Sequence, residues 1–255
     1  MLERFLWPLI GFIVAIMLWS VGVQALEART PIATMFAPLE TFKAFEQLVR
    51  GPDIWIHVVT SLKRVAIGLL FAILFGVPLG ILAGMSKAFS QATSPVFQLL
   101  RMVSPLSWMP LAVMVLGVGD APVYFLLGFA AVWPLMLSTA AGVAQLDPNW
   151  MLLARSLSAT KWEVIWRLVL PGITAQILTG VRLAIGIIWI VLVPAEMLGV
   201  SAGLGYFILD TRDRLAYSEL TAAIILIGLL GYALDYAARF VHARWLHAVP
   251  SDQGR

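Results

Sequence analysis

The chain has 255 residues, 61% of them hydrophobic and 12% charged, and a mean hydropathy of +0.92. A soluble domain with a solvated surface does not carry that composition, so the chain belongs in lipid, where crossing ~30 Å of hydrocarbon takes about 20 apolar helical residues per span. The net charge of +3 comes from Lys and Arg placed mostly at the ends of apolar runs, which argues against nucleic acid as a partner. The absence of cysteine excludes disulfides, thiolate metal sites and a cysteine nucleophile.

The first apolar run predicts a span over about residues 6–26. It exceeds the roughly 7–15 residues of a signal-peptide core, so we read it as retained, although Ala25-Leu26-Glu27-Ala28 weakly resembles a cleavage site. Residues 27–57 hold Pro31, Pro38, Glu40, Lys43, Glu46, Arg50, Pro52 and Asp53, too polar for a span, and are expected to form an external loop with a short amphipathic segment. A second span is expected at about 65–85. Its Gly76, Gly80 and Gly84 share one helix face and permit close backbone approach. A third follows at about 96–118, interrupted by Pro105 and Pro110, and a fourth at about 123–143 with Pro134 inside. The fifth and sixth fall at about 173–197 and 220–241. The result is a single all-α membrane domain over 1–255 with six transmembrane helices and both termini on one side.

Basic residues near the span ends set the orientation. Arg4, Lys87, Arg101, Arg155, Lys161, Arg167, Arg239, Arg244 and Arg255 fall on one side, which is read as cytoplasmic. The other side holds Arg29, Lys43, Arg50, Lys63, Arg64, Arg212 and Arg214, so the assignment leans on the short loops.

The connection between spans four and five, residues 145–171, is too long for a turn and too polar for lipid. Asp147 is positioned to cap a first short helix with Pro148 at its first position. Thr160-Lys161-Trp162-Glu163 has the spacing of a capping box opening a second helix that ends near Pro171. Trp162, Ile165, Trp166 and Val169 fall on one face of that helix, flanked by Lys161, Glu163 and Arg167. Such a face covers either a protein surface or the membrane interface, and periodicity does not choose between them.

This loop resembles the cytoplasmic loop of membrane subunits of ATP-binding cassette importers, which has Glu-Ala-Ala, a Gly four residues after the second Ala, and an Ile-x-Leu-Pro ending. Leu152, Leu153 and Ala154 stand at the first three positions, Ser158 at the Gly, and Leu168, Leu170 and Pro171 at the ending. The acidic residue and the glycine are thus replaced, and Ala154, Leu157, Ala159, Leu170 and Pro171 carry the likeness. It extends over about residues 61–235 and is similar to the nitrate, sulfonate, taurine and bicarbonate branch. Ser61-Leu62-Lys63-Arg64-Val65, Pro105-Leu106-Ser107-Trp108-Met109-Pro110-Leu111, Gly180-Val181-Arg182 with Trp189, Ala195-Glu196-Met197 and Gly203-Leu204-Gly205-Tyr206 carry this second likeness.

The resemblance implies the type I importer permease fold, in which residues 152–168 form a coupling helix docked on an ATPase subunit. Leu152, Leu153, Ala154, Arg155, Leu157, Ser158, Ala159, Thr160, Trp162 and Pro171 become the coupling residues. It also implies a permease homodimer, two ATP-binding subunits, a periplasmic substrate-binding protein and the bacterial inner membrane, with both termini cytoplasmic. The chain itself is expected to bind no cofactor, ATP and Mg belonging to the ATPase. Independently, none of Lys43, Lys63, Lys87 or Lys161 follows a glycine, as a P-loop lysine must.

For the translocation pathway the candidates are Pro105, Trp108, Met109, Pro110, Arg182 and Glu196, because broken helices and intramembrane charges need a cavity or a partner. Glu196 reads as an interfacial carboxylate or as a gate, Arg182 as a snorkelling side chain or as a counter-charge for an anion, and Asp235 as a partner of Arg239. Gly199-Val200-Ser201-Ala202-Gly203 matches a nucleophile elbow, but no strand is expected before it, and His57 is the only histidine expected on its face. The expected function is a non-catalytic importer subunit for a small anionic solute. The rival is a stand-alone secondary transporter or channel, for which mid-membrane ionisable residues are scarce.

Overall fold

Helices are the only way to satisfy every backbone N–H and C=O within one segment in hydrocarbon, and all regular structure among the described residues is helical. The computed structural model describes residues 3–27 and 30–248. Arg29 and Arg255, used above for orientation, and Ala28 of the weak cleavage-site match lie outside them. The elements run α1 (Glu3–Glu27), a 3-10 turn (Pro31–Phe36), α2 (Pro38–Arg50), α3 (Asp53–Met85), α4 (Lys87–Met102), a 3-10 turn (Pro105–Trp108), α5 (Met109–Leu116) and α6 (Asp120–Ala144). They continue with α7 (Pro148–Ser156), α8 (Lys161–Val164), a π turn (Ile165–Val169), α9 (Leu170–Gly172), α10 (Thr174–Glu196), α11 (Leu204–Asp213) and α12 (Tyr217–Ala248). Among the described residues five helices are long and apolar enough to cross a membrane, and α4 with α5 makes a sixth if that bent pair is one span.

Two expectations need correction. The external loop does not run to residue 57, because helix α3 begins at Asp53, with an acidic residue in its first turn, and holds 33 residues. The third span is broken at its prolines as expected, but its first helix does not begin at residue 96. Helix α4 starts earlier, where the Ser86 hydroxyl accepts the Phe89 N–H at 3.2 Å. The chain then turns by 89° before continuing to Leu116. Val103 and Ser104 are extended, with ψ of 128° at each, and extension of Ser104 is what the ring of Pro105 imposes on the residue before it.

The described chain forms two compact units. One comprises residues 1–59 and 202–230. Helix α2 is the amphipathic segment of the loop, opening with proline at its first position. Within this unit the Ser218 hydroxyl donates to the Met35 carbonyl at 2.8 Å, Phe36 lies against Tyr217, and Arg214 pairs with Asp210 and Glu219.

The other unit comprises residues 60–201 and 231–255. Its core is built on α6, whose Val123, Leu126, Leu127, Ala131 and Leu135 are fully buried with Ala72 of α3 and Ala184, Ile188 and Leu192 of α10. The glycine face of α3 is what lets α6 approach. A Cβ on Gly80 would stand 2.6 Å from both the Met136 carbonyl oxygen and the Thr139 Cβ, and one on Gly84 2.5 Å from the Val143 Cβ. Gly80→Leu is therefore expected to force the two helices apart at a cost of about 1–3 kcal/mol, read as a lower thermal midpoint in detergent. An unchanged midpoint contradicts the packing.

Candidate functional site

Three arrangements bear on function. The first is the 145–171 loop. The Asp147 carboxylate accepts the Asn149 N–H at 2.8 Å and starts α7. Helix α7 ends in a Schellman motif, with Ser158 N–H donating to Arg155 C=O and Ala159 N–H to Ala154 C=O, both at 3.0 Å. The residue between these bonds must be left-handed, and Ser158 has φ of 54°, which explains why a glycine suits this position.

Thr160 then caps α8 with a complete capping box. Its N–H and hydroxyl both donate to Glu163 Oε2, at 2.9 and 2.8 Å, and its hydroxyl accepts the Glu163 N–H at 3.3 Å. The Thr160 N–H, and after it the Thr160 hydroxyl, hold the Glu163 carboxyl below its ordinary value of 4.5. The carboxylate's contribution is thus complete above that ordinary value and fades only as pH falls through the lower folded value. Thr160→Ala is expected to cost about 1 kcal/mol of local helix stability, or about fivefold in amide-exchange protection at Glu163. Equal protection in the two proteins contradicts the cap.

The helix does not stop short of Pro171 but widens ahead of it. The Leu170 N–H reaches back to the Ile165 carbonyl, the five-residue spacing of a π turn. This is how the chain passes a proline that has no N–H and whose ring crowds the carbonyl four residues earlier. The outcome is a folded loop with its apolar side chains outside. Leu152, Leu153, Leu157, Trp162 and Trp166 are all exposed, and only Ala154 among the coupling candidates is buried. Arg155, Thr160 and Pro171 are exposed and Ala159 is half-buried. Trp150, Leu153, Ala154, Leu157 and Ala159 line one side of a hollow of about 320 Å³, and Glu163, Val164, Arg167 and Leu168 the other.

A buried ion cluster is the second arrangement. Glu196 is completely buried and Arg64 2% exposed. One terminal nitrogen of Arg64 lies 2.7 Å from Glu196 Oε1, while its Nε and other terminal nitrogen donate to Asp120 Oδ1 at 3.1 and 2.6 Å. The Ser61 hydroxyl lies within 2.7 and 2.9 Å of the two Glu196 oxygens. Sequence reasoning flagged Glu196 but took Arg64 for a topology charge and passed over Asp120. The available signal was Ser61 and Arg64 three residues apart on one helix face, both able to donate to one acceptor. Arg182 pairs with Asp235 at 3.1 Å, and Asp235 also accepts from Arg239 Nε at 2.7 Å, so Arg182 shares its carboxylate with Arg239.

The third arrangement is the broken segment. Pro105 is half-buried beside a cavity of about 310 Å³, Trp108 is half-buried against Phe129, Met109 is buried in the core and Pro110 is exposed. Ser201 lies between two helices and no strand precedes it among the described residues, which removes the context of a nucleophile elbow. His57 Nδ1 accepts the Gly203 N–H at 3.0 Å, so that nitrogen is engaged in holding backbone.

Comparison with known proteins places this geometry. The chain is 36% identical to the nitrate import permease protein NrtB of Leptolyngbya laminosa over 77% of its own length and 70% of the relative's. Against the bicarbonate transport system permease protein CmpB of Synechococcus elongatus the identity is 31%, covering 96% and 90% of the two chains. The taurine transport system permease protein TauC of Escherichia coli is 32% identical, over 89% and 83%. Among solved structures, a bacterial ABC transporter involved in the import of the acidic polysaccharide alginate superposes with a TM-score of 0.65 at 19% identity, over 95% of this chain and 94% of that one. The fold is that of a type I ATP-binding cassette importer permease. Residues 76–247 match the family model for a binding-protein-dependent transport system inner membrane component, and the chain belongs to that family.

Proposed function

We propose that the chain is the transmembrane subunit of an ATP-driven, receptor-dependent importer of a small anion, and that residues 145–171 dock on a separate ATPase subunit. One observation carries this reading. Leu157, Trp162 and Trp166 are 73%, 70% and 63% exposed on a capped, folded loop, and an apolar surface of this kind calls for a partner. The hollow between α7 and the helix that follows has the form of a receiver for one side chain or helix edge of that partner.

The solutes named for the relatives above, nitrate, bicarbonate and taurine, share a compact oxyanion group, which supports a cargo of that class. A second permease copy, two ATPase subunits holding ATP and Mg, and a periplasmic receptor complete the assembly in the inner membrane, with both termini cytoplasmic. Pro105, Trp108, Met109 and Pro110 belong to the broken segment that contributes to the pathway, with the ion-paired Arg182 and Glu196 bordering it.

Co-purification tests the docking. Tagged permease is expected to retain the ATPase subunit, and Ser158→Arg or deletion of residues 157–160 to lose it. Retention of a subunit whose hydrolysis still responds to the permease overturns the assignment.

A further inference from the structure

We propose that Arg101, with Ser90, Ser94 and Gln98 along the same helix, forms an anion site beside the break between α4 and α5. The proposal rests on the reading above that the cargo is a small anion, and it names residues that recognise it.

Ser90, Ser94, Gln98 and Arg101 follow one another at spacings of four, four and three, so they form a polar stripe along one face of α4. The stripe borders a cavity of about 170 Å³, room for several molecules the size of water at about 30 Å³ each. Arg101 also borders the neighbouring cavity of about 310 Å³, which Pro105 lines, and Trp133 and Leu137 are shared by both. Arg101, an exposed residue, therefore borders two hollows close to the place where the chain bends by 89°.

Charge and hydrogen bonding point to the sign of the ligand. Neither cavity is lined by an aspartate or a glutamate, and among the described residues Arg101 has no ion-pair partner, unlike Arg64 and Arg182. The side chains of Ser90, Ser94 and Gln98 have no hydrogen-bond partner among the described residues, whereas the Thr93 hydroxyl donates to the Phe89 carbonyl at 2.8 Å. Trp133 closes the far side of the cavity and is 8% exposed. An indole N–H only donates, a guanidinium only donates, and hydroxyl and amide groups also donate. A stripe of donors along one side of a largely apolar hollow, with one cation and no carboxylate, fits an oxyanion and repels a cation.

The chain contains no cysteine, so Ser94→Cys gives a single thiol in the stripe. The assembled transporter carrying it is reconstituted in phosphatidylcholine vesicles and treated with a negatively charged sulfonatoethyl or a positively charged trimethylammonium methanethiosulfonate reagent. The anionic-to-cationic rate ratio is expected to fall about tenfold when Arg101→Gln is added, and to hold with Arg101→Lys. Nitrate is expected to slow labelling of the Ser94→Cys protein, a measurement that stands even if Arg101→Gln fails to fold. An unchanged ratio, or no protection by nitrate, overturns the proposal. Protection by nitrate that disappears when phosphatidylglycerol is added assigns the stripe to a lipid phosphate and overturns it too. If the unmodified transporter moves no anion with ATP, the functional reading fails separately, because the labelling ratio is read without transport.

Discussion

Arg64→Ala is expected to lower the stability of the protein by about 3–5 kcal/mol, because it leaves a fully buried carboxylate without its cation. Glu196 is 0% exposed, and the Ser61 hydroxyl beside it supplies a neutral donor that does not replace the lost positive charge. Asp120 is in a different position, with its side chain 44% exposed, so water takes over where Arg64 is lost. The cost therefore falls on Glu196. In detergent the thermal midpoint of Arg64→Ala is expected to drop by about 10 °C. The double variant Arg64→Met, Glu196→Leu removes both buried charges and is expected to recover most of that loss, since apolar replacement of a whole buried pair is often neutral. Equal midpoints for Arg64→Ala and the parent contradict the cluster. A double variant no better than the single one shows that shape, not charge, sets the cost there.

Trp162→Asp combined with Leu157→Asp is expected to abolish stimulation of the ATPase subunit by the permease while the permease itself stays folded. Both side chains project into solvent, so the folded chain loses little when they change. A partner that buries them loses two central apolar anchors, each worth about 2 kcal/mol at an interface, or roughly thirtyfold in affinity. Co-purification and stimulated hydrolysis are read together with the thermal midpoint. If stimulation persists at the parental level, the exposed face is not the docking surface. If the midpoint collapses, the face is packed within the chain rather than presented by it.

Much of the fold was legible because the signals are local. The capping box at Thr160 and Glu163, the Asp147 cap and the small-residue face of Gly76, Gly80 and Gly84 each depend on spacing within a few turns, and each is found in the structure. The replaced glycine of the loop was legible too, and the left-handed φ of Ser158 gives its reason. Less legible was anything that depends on the path between elements. Pro105 marked a break, but a proline fixes only its own φ and the extended neighbour before it, and the 89° turn follows from two extended residues in succession. Pro171 marked the helix end, and the helix does end at Gly172, but the π turn that accommodates the proline was not legible. The ion cluster joins residues 132 and 56 positions apart, and no periodicity encodes such a pairing. Charge counting placed Arg64 with the topology signals because a basic residue near a span end serves that role by default. Arg101 was set aside for the same reason, and only the cavities beside it separate it from the other basic residues.

The central claim is that transport through this chain is driven from a partner subunit rather than by an ion gradient. Uptake into proteoliposomes containing permease, ATPase subunit and receptor, with labelled nitrate, bicarbonate and taurine supplied in turn, tests it most directly. At least one of these solutes is expected to accumulate only when ATP is present on the ATPase side and receptor on the opposite side, and not with a proton or sodium gradient alone. Accumulation driven by an ion gradient through the permease without ATP or ATPase subunit would contradict the account.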